Sequence, residues 1–334
     1  MQTKWLEETF GIRPEGQTQF GRYEGFISRN QIYIMAPLGE SKEYLMELKG
    51  IADHLIQSGD RNILTIIQTK SGELWGEWEG KSLCLLACQM NERQPVQQIG
   101  RKLAKFHLRG LTIPFKVERT SRIGQWKQLW EKRLAQMEGV WQSKMYQSPE
   151  NEFERMFIES FPYYMGVTEN AIQYLVDTEI DEAPGQTDNG TVCHERFSNQ
   201  IWVKNSLLKN PLDWVFDHRS RDLAEWTRGI YFESKHAHHP HIRKFFQDYQ
   251  ALSPLSAFGW RLLYSRLVFP LHYFECIEEY YITQSEQDKN WQEERLYKLL
   301  QSSTEYERFL GEFYQLADAP IRKLKIPHLE WLIN

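Results

Sequence analysis

No stretch of this chain is apolar for anything near the ~20 residues that a bilayer crossing needs. The first residues, MQTKWLEETFGIRPEG, hold no apolar core ahead of a cleavage site. Neither a membrane span nor a signal peptide is therefore expected. Cysteine is scarce. The four present (Cys84, Cys88, Cys193, Cys276) form no Cys-x-x-Cys pair and no dense framework, which suits a reduced cytosolic compartment. Cys84 and Cys88 stand in the apolar run LCLLACQM and read as small buried residues of a strand. A basic excess is missing too: the net charge of -5 gives no electrostatic footing for nucleic acid or an anionic membrane surface. No repeat of about 20–50 residues and no low-complexity linker is present.

What remains is a 334-residue chain of ordinary globular composition, 41% hydrophobic and 25% charged, long enough for more than one lobe. Aromatic residues are plentiful at 14%, and 12 of them are Trp. Trp75, Trp78, Trp126, Trp130, Trp214, Trp226 and Trp260 fall mostly at strand or apolar-stripe positions and read as core.

The first ninety residues read as strands with one inserted helix. A short helix from Lys4 to Phe10 gives way to a turn at Gly11 and Pro14. Two strands follow, FGRYEGFISR and QIYIMAPL, joined at Arg29-Asn30, where Asn tolerates positive φ. From Ser41 to Gln57 the period changes: Tyr44, Leu48, Ile51 and Leu55 share one helical face, and Glu40, Glu43 and Glu47 crowd the positive end of the helix dipole. Strand runs return in NILTIIQTK, ELWGEWEG and SLCLLACQM, with turns at Ser71-Gly72 and Glu79-Gly80.

After Pro95 helices dominate. VQQIGRKLAKFHLRG carries one apolar stripe and a stop at Gly110. Helices are expected over 121–140 and over 151–176, the second broken or kinked at Pro162. Leu267, Leu271, Phe274 and Ile277 define one further helix, and Trp291, Leu296, Leu299 and Leu300 another. The fold class is thus α+β, with a β-rich lobe over 1–92 and a helical lobe over 93–334.

The stretch on which the functional reading turns is Thr191–Arg228, TVCHERFSNQIWVKNSLLKNPLDWVFDHRSRDLAEWTR. A His-led loop ends in an amide. A strand follows, then an Asp at a strand end, then an Asp-Leu-Ala helix start that Asp222 would open as an N-cap. With IGRKLAKFH (Ile99–His107), LDW (Leu212–Trp214) and RDLAEWTR (Arg221–Arg228) in that order, the chain resembles the aminoglycoside phosphotransferase and choline kinase branch of the protein-kinase-like fold. Within it, the chain is similar to the spore-coat kinase-like family of the CotS/YutH type, most of all its YutH side.

That resemblance implies a set of parts for phosphoryl transfer: a loop Asp to orient the acceptor hydroxyl, an amide and a strand-end Asp to hold Mg²⁺, and a strand Lys paired with a helix Glu to orient the phosphates. His194 matches the loop His. The catalytic Asp falls on Arg196, whose charge is inverted, and Glu195 is the nearby carboxylate one residue off. The amide lands on Asn199 or Gln200, and Asp213 matches the metal-binding Asp. The strand QIYIMAPL has no Lys at Met35 or Ala36, which leaves Glu43 or Glu47 without its partner. Gly21 and Gly25 make a weak phosphate loop.

The resemblance therefore implies a catalytically degenerate kinase-fold protein. It would be made in the mother cell and act as a structural component of the bacterial endospore coat, with other coat proteins as partners and no required cofactor. Asp213 and Asn199 would hold Mg-ATP in the alternatives, an active phosphotransferase using Glu195 or an ATP-binding protein without transfer. Elsewhere His236, His238, His239 and His241 cluster around Pro240 and read as a solvated interhelical loop rather than a metal site. His107 reads as a packed, hydrogen-bonded histidine.

Overall fold

The computed structural model describes residues 2–20, 23–39, 41–60, 63–89, 98–198, 208–234 and 238–332. The chain divides into two compact units. One comprises Met1–Arg122, Gly190–Asp222 and Ala251–Ser253; the other comprises Ile123–Asn189, Leu223–Gln250 and Pro254–Asn334. The sequence change near Asn91–Pro95 lies outside the described residues.

The first unit is built on a six-stranded antiparallel sheet. Helix α1 (Gln2–Phe10) precedes strands β1 (Gly16–Phe20), β2 (Tyr23–Ser28) and β3 (Gln31–Pro37). Helix α2 (Lys42–Gln57) is followed by β4 (Thr65–Ile67), β5 (Gly76–Trp78) and β6 (Lys81–Gln89). The strand order is β1-β2-β3-β6-β4, with β5 also on β6. The run FGRYEGFISR is thus not one strand: Phe20 ends β1 and Tyr23 begins β2. At the β2–β3 turn both Arg29 and Asn30 have positive φ, as a two-residue hairpin turn matched to strand twist requires. β6 is buried continuously from Leu83 to Cys88, which is why its sequence does not alternate. One face of the sheet carries Phe26 and Leu85 against Leu6 and Phe10 of α1, with Met35 beside them. Helix α2 presents Leu45, Leu48, Ile51, Ala52 and Leu55 inward.

Helix α3 (Ile99–Gly110) and the two-stranded ribbon β7 (Thr191–His194) and β8 (Trp214–Asp217) complete this unit. Gly110 is the last helical residue, and it is not a left-handed cap. A Cβ there would stand 2.2 Å from Thr191 Oγ1 and 2.6 Å from the Val192 nitrogen, so glycine is required by the close approach of β7.

The second unit is helical: α4 (Trp126–Met145), α5 (Glu152–Asp181), α6 (Ser220–Ser234, entering from the first unit), α7 (His238–Gln250), α8 (Ala257–Val268), α9 (Leu271–Ile282), α10 (Glu286–Gln301), α11 (Ser303–Leu316) and α12 (Ile321–Leu324). Its core joins α4, α5, α9 and α10 through Met137, Phe157, Phe161, Tyr273, Ile277 and Leu296. Rings stack in it face to face, Phe153 on Tyr280 at 3.6 Å and Tyr164 on Tyr273 at 3.7 Å. Trp126, Trp130, Trp226 and Trp260 are buried here, and Trp214 is buried in the first unit.

Two helical expectations are corrected and a third is narrowed. Of the break or kink expected at Pro162, a break is excluded, because the helix runs on to Asp181. The carbonyl of Ile158, which a proline four residues on cannot serve, accepts instead from Trp141 Nε1 at 3.0 Å. Leu267 and Ile277 do not share one helix. Phe269 is extended (ψ 118°), as the residue before a proline prefers, so α8 stops and α9 starts after Pro270. The histidines near Pro240 are not in a loop: α7 begins at His238 and holds Pro240 in its first turn, where a missing N–H costs nothing. His238 is buried while His239 and His241 are exposed, and His236 lies outside the described residues. Among the described residues these histidines form no metal-binding group.

Candidate functional site

The ribbon β7–β8 pairs His194 with Trp214 and Thr191 with Asp217. It places the His-led loop and the Leu-Asp-Trp segment side by side. The Glu195 amide donates to the Asp213 carbonyl at 2.7 Å, so the two candidate carboxylate residues are neighbours through their backbones. The Glu195 and Arg196 side chains are exposed, and Arg196 Nη1 donates to the Glu195 carbonyl at 3.0 Å. Asp213 is half-buried at the mouth of β8, with Asn210 Nδ2 donating to its Oδ2 at 3.2 Å. A half-buried carboxylate is the kind of hard oxygen donor that Mg²⁺ takes. Asn199 and Gln200 lie outside the described residues.

Beneath the loop sits an arrangement that the sequence did not disclose. Asp222 is not an N-cap. The helix α6 opens at Ser220, and the Asp222 carboxylate points into the protein, fully buried. Its Oδ1 accepts from the His194 backbone N–H at 2.8 Å. Its Oδ2 accepts from His194 Nδ1 at 2.8 Å and from His107 Nε2 at 3.1 Å. Burial alone would push this carboxyl up. The two histidines outweigh it and hold the group well below the usual carboxylate range. Burial dominates at His107 and lowers it from its ordinary value. Thr191 Oγ1 ties the same turn by donating to the His107 carbonyl at 2.6 Å.

Arg221 makes the second anchor. Its Nε donates to the His194 carbonyl at 3.0 Å and its Nη2 to the Glu195 carbonyl at 3.1 Å, while Nη1 pairs with buried Asp217 at 2.9 Å. Phe106 and Phe197 bracket the His194 ring at 5.3 and 4.7 Å. His107, Cys193 and Asp222 come within metal-ligand distance of one another, but they are fully buried and hydrogen-bonded. This cluster is a fastening for the loop.

In the same unit, Glu47 of α2 pairs with no lysine among the described residues. Its carboxylate accepts from the backbone N–H groups of Glu118, Arg119 and Thr120 at 2.7, 3.1 and 2.7 Å, and from Thr120 Oγ1 at 2.8 Å. Partial burial works against its charge, and these donors overcome it and lower its pKa. Ala36 is buried and Met35 packs toward α1, so neither candidate lysine position of β3 offers a cation. Lys209 is buried on Asp60 at 2.9 Å, which Arg109 also contacts at 3.2 Å.

The sequence profile of the family described as "Spore coat putative kinase YutH" matches residues 3–313. The chain belongs to that family. A relative in this YutH family, "Endospore coat-associated protein YutH" of Bacillus subtilis (strain 168), is 41% identical over 98% of this chain and 97% of its own length. Solved structures share the fold at low identity. An aminoglycoside phosphotransferase from Alicyclobacillus acidocaldarius superposes with a TM-score of 0.65 at 13% identity, covering 91% of this chain and 93% of its own. Spectinomycin phosphotransferase in complex with ADP and spectinomycin gives 0.60 at 13% identity, covering 89% and 93%. This YutH-family chain therefore has the α+β, protein-kinase-like fold of aminoglycoside phosphotransferases, with a small antiparallel sheet followed by a larger set of helices.

Three of the residues in the fastening had a signal in the sequence. His107 ends an apolar stripe, His194 leads the loop, and Asp222 stands in the Asp-Leu-Ala start. The roles of Arg221 and Glu47 had none, since the carbonyls that Arg221 reaches lie 26 and 27 residues away and the donors to Glu47 lie 71 to 73 residues away; the Arg221–Asp217 pair itself is four residues apart.

Proposed function

We propose that this chain is a catalytically degenerate kinase-fold protein, made in the mother cell, that acts as a structural or interaction component of the bacterial endospore coat among other coat proteins. The observation that carries the loss of catalysis is the bonding of Glu47. In a working kinase site the helix carboxylate holds a lysine against the phosphates. Here it is bound by four donors from residues 118–120, and β3 reads QIYIMAP without a lysine. Arg196 at the base position adds to this reading, because a guanidinium neither orients nor accepts a proton from a hydroxyl. The coat assignment rests on the 41% identical endospore coat-associated relative.

One observation favours a second reading, nucleotide binding without transfer. Asp213, with Asn199 as the amide, would hold Mg²⁺ on a bound nucleotide, and a neighbour of the same fold is seen with ADP. Asp213 would supply one oxygen ligand to Mg²⁺, which would neutralise phosphate charge, and Asn210 would orient its carboxylate.

Thermal denaturation with ATP and Mg²⁺, then transfer of labelled γ-phosphate, separates the readings. A ligand at 100 times its Kd stabilises by about 2.7 kcal/mol, enough to move the midpoint by several degrees. The proposal expects no transferred phosphate. Turnover abolished by Asp213→Ala would overturn it, and a nucleotide shift without turnover would select the second reading. A tagged copy should localise to the coat of sporulating cells.

A further inference from the structure

The helical unit contains a cavity of about 660 Å³ between the end of α6, the start of α9, α10 and the start of α11. It includes none of the loop residues discussed above, and its volume lies in the range of small-molecule sites. Tyr231, Phe232, His272 and Trp291 give it an aromatic side, and Glu294, Arg295, Lys298 and Glu305 a charged one. Phe232 and His272 also line a second, smaller recess.

His272 is 7% exposed, and its Nδ1 has no hydrogen-bond partner among the described residues. Burial, then Arg228 and Arg295, hold it neutral by lowering its pKa well below the ordinary value. Arg295 is on the wall. Its guanidinium lies 5.4 Å over the Trp291 ring. Its side-chain hydrogen bonds, to Glu279 at 2.9 Å and Gln292 at 3.3 Å, both leave from Nη1. The Nε–Nη2 edge therefore keeps its donors among the described residues, and that edge matches a carboxylate in plane. The charges on the wall disfavour more than one negative charge: Lys298 is paired with Glu294 at 2.7 Å, Arg295 with Glu279 through Nη1 at 2.9 Å, and Glu305 also lines the cavity.

We infer that this cavity binds a small aromatic monocarboxylate, its ring among Trp291, Tyr231 and Phe232, its carboxylate on Arg295, and a polar atom toward His272.

The test uses 4-fluorobenzoate as probe, followed by ¹⁹F line broadening on the full chain. Saturable broadening, reversed by unlabelled benzoate but not by equal phenyl phosphate or benzylamine, is expected. Arg295→Gln should weaken binding at least tenfold, and His272→Phe at least threefold. Ile282→Ser, an exposed position outside the cavity, should change nothing. Trp291→Ala, at a 56% exposed residue, tests the site without disturbing the core and should also weaken binding at least threefold. Absence of saturable broadening, displacement by benzylamine as readily as by benzoate, or unchanged affinity in both Arg295→Gln and Trp291→Ala would overturn the inference.

Discussion

The Thr120 amide donates to Glu47 Oε1 at 2.7 Å, and the Thr120 hydroxyl donates to the same oxygen at 2.8 Å. The Glu47 carboxylate of α2 is thus a cap for an irregular segment. Charge-assisted bonds of this kind contribute about 1.5–3 kcal/mol each when formed away from water, and less at a half-buried group. Glu47→Ala should therefore lower stability by about 1–3 kcal/mol, read from urea denaturation. The sign with pH follows: the folded pKa is lowered, so the contribution is complete above the unfolded value of about 4.3 and is lost as pH falls through the folded one. An unchanged midpoint for Glu47→Ala at pH 7 would show that the 118–120 segment does not need the cap.

The loop fastening predicts a second pH effect at milder acidity. His107 is buried with a lowered pKa, so the unfolded chain takes up its proton first. Stability is complete above the unfolded histidine value of about 6.5 and declines as pH falls below it. Asp222, held low, retains its contribution past the usual carboxylate range and loses it only in stronger acid. Asp222→Asn should cost about 3–5 kcal/mol, because it leaves two buried histidines and the His194 amide poorly matched. Denaturation midpoints at pH 7.5, 6.5 and 5.5 check the first point. A flat profile for the wild type, or a conserved midpoint in Asp222→Asn, would contradict this account.

Gly110 gives a steric prediction. The Cβ of Gly110→Ala meets the Val192 backbone nitrogen at 2.6 Å, and backbone cannot swing aside as a side-chain end can. Overpacking of this type costs about 1–3 kcal/mol. In an exposed helix interior the same change would stabilise by up to about 1 kcal/mol. The direction of the change in melting temperature therefore decides whether close approach or helix propensity governs this position.

Pro162 and Trp141 should be coupled. The indole N–H serves the Ile158 carbonyl because Pro162 cannot. Trp141→Phe should cost about 1 kcal/mol more in the wild-type background than in Pro162→Ala, where a backbone N–H takes over the carbonyl. A double-mutant cycle with no interaction energy would mean that the carbonyl is satisfied in another way.

The order of elements was legible in the chain itself. The helical period of Tyr44 to Leu55, the unbroken apolar run of β6 and the turn residues Arg29-Asn30 are local signals, because each follows from contacts within a few residues or from one residue's own φ/ψ limits. The order of the Ile99–His107, Leu212–Trp214 and Arg221–Arg228 segments likewise pointed to a kinase-like fold, and the family comparison bears that out. The helix ends at Val268 and Leu271 were misread although Pro270 was in plain view, since apolar spacing continued across the break.

What only the tertiary structure decided is where the polar groups go. Asp222 reads locally as a cap, yet it joins His107, 115 residues earlier, to His194. Glu47 reads as a helix-dipole residue, yet it gathers donors 71 to 73 residues on. A side chain's type fixes what it can bond. Which partner reaches it depends on the folded backbone, and burial then makes that partner obligatory because an unmet polar group has no water to turn to.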